Sequence, residues 1–215
     1  RLISSAASDV YKRQQYDNTI IYFLSDNGAA MSNNASPFPY KGWKGNQFEG
    51  GIKTPMIMTW KNKIKSNTQF DGFISALDIF KTSLEVSNVN DDLMANADGK
   101  NIMNYLNDNI IQNENLFWRK DKMATVRSGN YKLIKLNDTS TVLYNIENNY
   151  FEDLDLKLVE PSVHDSLFKL LSSWEDRLID PNWIENKDWN IVTEMIYEDL
   201  MANKDIRAVS PKDLN

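Results

Sequence analysis

Three residues in the first quarter of the chain carry types and spacing suited to chemistry. Asp26 and Asn27 stand side by side where the apolar run "TIIYFL" gives way to "SDNG". Lys44 follows in "KGWKGNQFEGG", between Gly42 and Gly45, with Gly50 and Gly51 closing the loop. An adjacent carboxylate and amide offer two hard oxygen donors, the kind that calcium or magnesium takes and that zinc sites usually supplement with imidazole. Asp-Asn-Gly is also among the commonest turn sequences, so those three residues alone are a turn with a metal option. An ammonium among glycines is a compact point charge where backbone can approach closely, which suits an oxyanion such as sulfate or phosphate. The G-x-x-x-x-G-K-[ST] spacing of a P-loop is absent. Lys41 and Lys53 read as solvated loop lysines, and Glu49 as a carboxylate that structures the loop rather than a general acid.

These residues need a scaffold. Ile20 to Leu24 form a continuous apolar, β-rich run closed by a turn, as in a strand buried on both faces. Asp26 and Asn27 fall at its carboxyl end, where α/β sheets gather ligands. A second strand is expected in "TPMIMTW" (Thr54 to Trp60), and Phe73, Ile74, Leu77, Phe80 and Leu84 lie at the spacing of one helix face. "ADGKNIMNYLND" reads as a turn followed by a short amphipathic segment. Beyond about Asn115, "KMATVRSGNYKLIKL" and "STVLYNIEN" alternate like antiparallel hairpins. "EPSVHDSLFKLLSSWEDRLID" reads as a helix with Pro161 in its first turn. The expected organisation is residues 15–112 as part of an α/β domain, 113–185 as a small α+β subdomain, and 186–215 as a polar, weakly helical tail. Residues 1–14 show no hydrophobic period and no signal-peptide pattern; "DVYKRQ" reads as translated sequencing adapter, which places the start of the chain inside a longer protein.

Composition removes several classes of function. The 215 residues are 41% hydrophobic and 11% aromatic, enough for a real core. A formal charge of −6 offers no basic footprint for nucleic acid. No run approaches the roughly 18 apolar residues of a membrane span. Cysteine is absent, which excludes disulfides, thiolate-bound metals and a cysteine nucleophile within these residues. The single histidine, His164, cannot supply a multi-imidazole zinc site, and its place in the expected helix reads as an ordinary surface position.

The stretches "TIIYFLSDNG" and "YKGWKGNQFEGGIKTPMIMTWKNKI" resemble the second signature region of the sulfatases, within the alkaline-phosphatase-like superfamily. The family form is a strand ending S-D-N-G, a G-K-G-x-x-[FY]-E-G-G-[IV]-[RK]-x-P loop, and a strand ending W-P-G. Trp43 stands where a glycine is usual, and Lys61-Asn62 where Pro-Gly is. Later landmarks follow in order: "FISALDIFKTSLEV" (Lys81 in place of a proline), "ADGKNIMNYL", "LFWR", "ATVRSGNYKLI" and "TVLYNIENNYFEDLDL". The likeness runs from about Asn18 to Trp183. It implies an α/β fold: the C-terminal end of an alkaline-phosphatase-like mixed-sheet domain, followed by a small α+β subdomain with an antiparallel sheet and a packed helix.

Carried over by position, the resemblance makes Asp26 and Asn27 calcium ligands and Lys44 a catalytic and substrate-binding residue that contacts the sulfate. Asn27 favours calcium and sulfate esters, since phosphatase-type relatives often carry a zinc-binding histidine there. The implied activity is hydrolysis of sulfate esters, with a sulfated carbohydrate as the expected substrate, by a protein exported to the periplasm or beyond. The segment whose first residue becomes the formylglycine nucleophile is not in the sequence, nor are the family's early Asp-Asp pair and its leaving-group histidines. The 215 residues alone are therefore expected not to turn over. Two alternatives stay open: a phosphodiesterase or phosphonate-type hydrolase of the same superfamily, and a non-catalytic sulfatase-like binding module. Trp174, Trp183 and Trp189 are expected to pack in the small domain rather than to stack on sugars.

Overall fold

A computed structural model of the chain describes residues 9, 14–88, 97–108 and 115–214. The chain forms two compact units, and neither is continuous in sequence: 1–25 with 55–113, and 26–54 with 114–215.

In the first unit, β1 (Ile21–Leu24) pairs antiparallel with β2 (Met56–Thr59), with Phe23 opposite Ile57. The expectation of a strand buried on both faces is not met: Ile21, Tyr22 and Leu24 are only partly buried, Phe23 is 46% exposed and its partner Ile57 61%. Helix α2 (Leu77–Val86) starts later than its apolar spacing suggests, because the Asp78 carboxylate folds back to accept the Ser75 amide at 2.8 Å. Leu77 and Phe80 remain more than half exposed, whereas Asp78 and Thr82 are buried. Asp78 also accepts the Lys100 amide at 2.8 Å, and the Thr82 hydroxyl accepts the Ile102 amide at 2.9 Å. These bonds fasten the turn that leads into α3 (Ile102–Asp108). Burial nonetheless pushes the Asp78 carboxyl above its ordinary range, against the pull of those amides.

The second unit is built on a four-stranded meander: β3 (Asn115–Lys120), β4 (Met123–Ser128), β5 (Tyr131–Lys135) and β6 (Thr141–Asn145), each antiparallel to the next. Ser128 opposes Tyr131, so Gly129 and Asn130 make a two-residue hairpin loop, with Gly129 at φ 54°. Alternation then sends side chains to two separate cores. On one face Ala124, Val126, Leu133 and Leu143 pack against Leu167 and Leu171 of α4 (Pro161–Glu175). Phe117 and Trp174 stack beside them, with ring centroids 4.9 Å apart. On the other face Met123, Ile134, Leu136, Val142, Tyr144 and Ile146 meet Phe48 from the glycine-rich loop, together with Tyr197 and Leu200 of α5 (Lys187–Met201). The segment after Asn186 is thus more than weakly helical. Asn186 caps a 15-residue helix by accepting the Asp188 amide, and the helix buries Val192, Tyr197 and Leu200.

Two expectations need correction. His164 is packed rather than a plain surface residue: its side chain is 15% exposed and its Nε2 lies 2.9 Å from the Thr141 hydroxyl. Of the three tryptophans only Trp174 packs as expected; Trp183 is 84% and Trp189 43% exposed. Trp183 lies in the irregular stretch between α4 and α5.

Candidate functional site

Asp26 and Asn27 open a turn directly after β1, and Lys44 stands at the exposed apex of the glycine-rich loop. Two backbone hydrogen bonds join these segments: Gly28 N–H donates to Gly51 O at 2.9 Å, and Lys44 N–H donates to Ala29 O at 2.9 Å. The fit has no room for a side chain. A Cβ on Gly28 would lie 1.9 Å from Gly50 O, which explains the glycine after the acid–amide pair. Gly42 allows the loop to turn at φ 79°. The structure therefore brings the Asp26–Asn27 turn and the backbone of Lys44 into one interlocked pair of segments.

The loop is fastened on its other side to the sheet. Phe48 is fully buried among Met123, Ile134, Tyr144 and Tyr197. The Gln47 amide N–H donates to the Tyr197 hydroxyl at 3.0 Å, and its side-chain oxygen accepts from Thr125 at 2.8 Å. Lys41 is not the solvated lysine expected: its ammonium donates to the carbonyls of Glu152 and Leu200 and to the Asn203 side chain. Burial lowers its pKa, an effect only partly offset by the Glu152 and Asp153 carboxylates. Lys53 is exposed, its ammonium 4.6 Å from the centre of the Tyr40 ring.

Glu49 is the loop-structuring carboxylate expected, and its setting is a buried ion network. It begins the single-turn helix α1 (Glu49–Ile52) and is fully buried. One oxygen lies 3.0 Å from the Lys132 ammonium and the other 3.2 Å from the Arg127 guanidinium. Lys132 also pairs with Glu152 at 2.9 Å, and the second Glu152 oxygen accepts the Glu49 amide at 2.7 Å. Burial alone would push the Glu49 carboxyl up, but Lys132 and Arg127 outweigh it and hold it below the usual carboxylate range. Glu152 goes the other way: burial raises it despite Lys132. Removing one member of such a buried pair strands its partner's charge, a loss of about 3–5 kcal/mol. No sequence period announces Lys132 or Glu152; their partners lie 83 and 103 positions away.

Asp26 and Asn27 present oxygen donors only, which fits a hard cation. Calcium takes about 6–8 oxygens, so two side chains can be only part of its shell. Among the described residues no group of three or more His, Cys, Asp or Glu is placed to hold a metal.

The family model described as Sulfatase matches residues 1–89. The uncharacterized sulfatase YdeN of Escherichia coli K12 is 39% identical over 101 residues, covering 45% of this chain and 17% of that protein. N-acetylgalactosamine-6-sulfatase of Rattus norvegicus is 30% identical over 120 residues, covering 54% of this chain and 23% of that protein. The chain thus spans about a fifth of the length of these curated relatives. Among solved structures, Ps i-CgsB in complex with k-i-k-neocarrahexaose superposes with a TM-score of 0.78 at 26% identity, over 88% of this chain and 43% of that one. The fold is α/β of the alkaline-phosphatase-like class. The signature loop, the family model matched over residues 1–89 and the curated relatives agree in likening this chain to the sulfatases.

Proposed function

We propose that this chain supplies the calcium and sulfate side of a sulfatase active site that hydrolyses sulfate esters of carbohydrates. The observation that carries the reading is the interlock of the acid–amide turn with the lysine loop, through the Gly28–Gly51 and Lys44–Ala29 hydrogen bonds. In this reading Asp26 and Asn27 ligate the ion, which when bound offsets charge on the sulfate oxygens. Lys44 places its ammonium against the sulfate group and stabilises negative charge as the ester bond breaks. The backbone ties fix where that charge stands, so little reorganisation is required of the loop at the moment of reaction. Glu49 takes no part in proton transfer, because both its oxygens are committed to Lys132 and Arg127.

A carbohydrate substrate draws support from the relatives: an N-acetylgalactosamine-6-sulfatase, and the structure of Ps i-CgsB in complex with k-i-k-neocarrahexaose. A nucleophile segment of the C-x-P-S-R or S-x-P-x-R form is absent from the sequence, so the 215 residues alone are proposed to be inactive. Export to the periplasm or beyond is proposed from the family, and no helix among the described residues is long and apolar enough to cross a membrane.

The test uses the protein expressed from its complete reading frame. Asp26→Ala and Lys44→Ala each depress turnover of an aryl sulfate and of a sulfated oligosaccharide, with the fold retained. Unchanged turnover in both variants overturns the assignment. Turnover of a phosphodiester in preference to the sulfate favours the phosphoryl-transfer alternative.

A further inference from the structure

The face of the meander that receives the glycine-rich loop has an unusual feature. Arg127 of β4 and Lys132 of β5 stand directly opposite one another in the strand register. Like charges at opposed positions destabilise a sheet. Here they are also removed from water: Lys132 is fully buried and the Arg127 side chain is 12% exposed. The sheet on its own could not hold this pair cheaply. What compensates the pair is the Glu49 carboxylate, one oxygen to each cation, with Glu152 taking the remaining side of Lys132. Two carboxylates meet two cations, so the buried set is neutral only when the loop is seated. Glu152 adds a second tie by accepting the Glu49 backbone amide, and its own carbonyl accepts from Lys41. Both ends of the loop that carries Lys44 are therefore held by the same turn beyond β6.

We propose that Lys132, Arg127 and Glu152 form a charge receptor on the C-terminal sheet that seats the sulfate-contacting loop, making them positioning residues for Lys44 and the Asp26–Asn27 turn. The path is short and continuous. Lys132 and Arg127 grip Glu49; Gly51, two residues on, accepts from Gly28 next to Asn27; Lys44 is tied to Ala29. None of the three need touch the substrate. Their effect is to fix the loop to within the fraction of an ångström that catalytic geometry demands. The inference rests on the sulfatase reading of the site.

The experiment compares wild type with Lys132→Met and with the charge-balanced pair Lys132→Met/Glu152→Gln, in the protein from its complete reading frame. The double variant removes one cation and one anion and keeps an oxygen to accept the Glu49 amide, so it supplies a folded test where the single variant does not fold. Two readouts are taken: amide hydrogen exchange over residues 41–54 against that of β4–β6, and kcat and KM for a sulfate ester. The expected result is faster exchange in the loop with the sheet still protected, and kcat lower by about 10²-fold, the scale of a misplacement of about 1 Å, with KM changed far less. Wild-type loop exchange and wild-type kcat in the folded double variant overturn the proposal. So does a loss of protection spread equally over loop and sheet, which marks a general stability role. Asp26→Ala and Lys44→Ala run alongside: if they abolish turnover while the double variant does not alter it, the seat fails and the site stands. If they leave turnover unchanged, the site reading fails independently.

Discussion

Phe48→Ala separates a loop that merely lies on the sheet from one whose core residue is built into it. Phe48 is fully buried, its ring centroid 5.9 Å from Tyr197 and 6.4 Å from Tyr144, with Met123, Ile134, Leu136 and Val142 completing the cluster. Truncating a buried phenylalanine costs about 3–5 kcal/mol, the sum of lost transfer energy and the cavity left behind. The site cannot collapse easily, because the opposing wall is a hydrogen-bonded ladder. With a urea m-value of about 2 kcal/mol/M, the midpoint falls by about 1.5–2.5 M. The assay is urea unfolding read at β5 by hydrogen exchange, which isolates the second unit from the first. Because Phe48 is followed directly by Glu49, the same change also loosens the ion network, so the larger figure is favoured. A midpoint shift below about 0.5 M refutes the reasoning, since it means that the loop's aromatic residue is not part of the core.

Three other perturbations follow from the same geometry. Glu49→Gln alters the pH dependence of stability. The folded pKa of Glu49 is depressed, so its contribution is fully present above the unfolded value of about 4.3 and is lost as pH falls through the lower folded value. The stability gap between wild type and variant, followed by urea titration, therefore narrows on acidification below that range; a gap that widens contradicts the pairing. Glu152 has the opposite sign: its raised pKa means that stability is lost as pH rises through the folded value, so any stability advantage of wild type over Glu152→Gln, followed by urea titration, shrinks across that rise. Gly28→Ala places a methyl 1.9 Å from Gly50 O and must part the turn from the loop; about 1–3 kcal/mol of stability and most sulfate-ester turnover are lost, as measured by urea titration and initial rates.

What sequence reasoning could reach here was local. Alternation and turn residues mark β4 to β6, because the period of a strand is written in consecutive residues. Pro161 and the apolar spacing after it mark α4. The glycines at 28, 50 and 51 announce close backbone approach, and the structure supplies the partner atoms. What escaped depends on residues far apart in the chain. Lys41 looks solvated until Leu200 and Asn203 are folded beside it. Lys132 alternates like any strand lysine, yet it faces inward because Glu49 waits there, 83 positions earlier. Helix α5 looks polar because its apolar stripe is narrow, but Tyr197 and Leu200 fill the space beside Phe48. The assignment of Trp183 to a packed cluster erred because aromatic content says nothing of whether a neighbouring face exists to receive it.

The central claim is that Asp26 and Asn27 hold a cation while Lys44 meets the sulfate. Calcium titration of sulfate-ester turnover tests it most directly, in wild type, Asp26→Ala and Lys44→Ala of the protein from its complete reading frame. The account predicts that Asp26→Ala raises the calcium concentration needed for half-maximal activity, whereas Lys44→Ala leaves that requirement near wild type and lowers the maximal rate. Identical calcium dependence in wild type and Asp26→Ala, or a maximal rate untouched by Lys44→Ala, contradicts it.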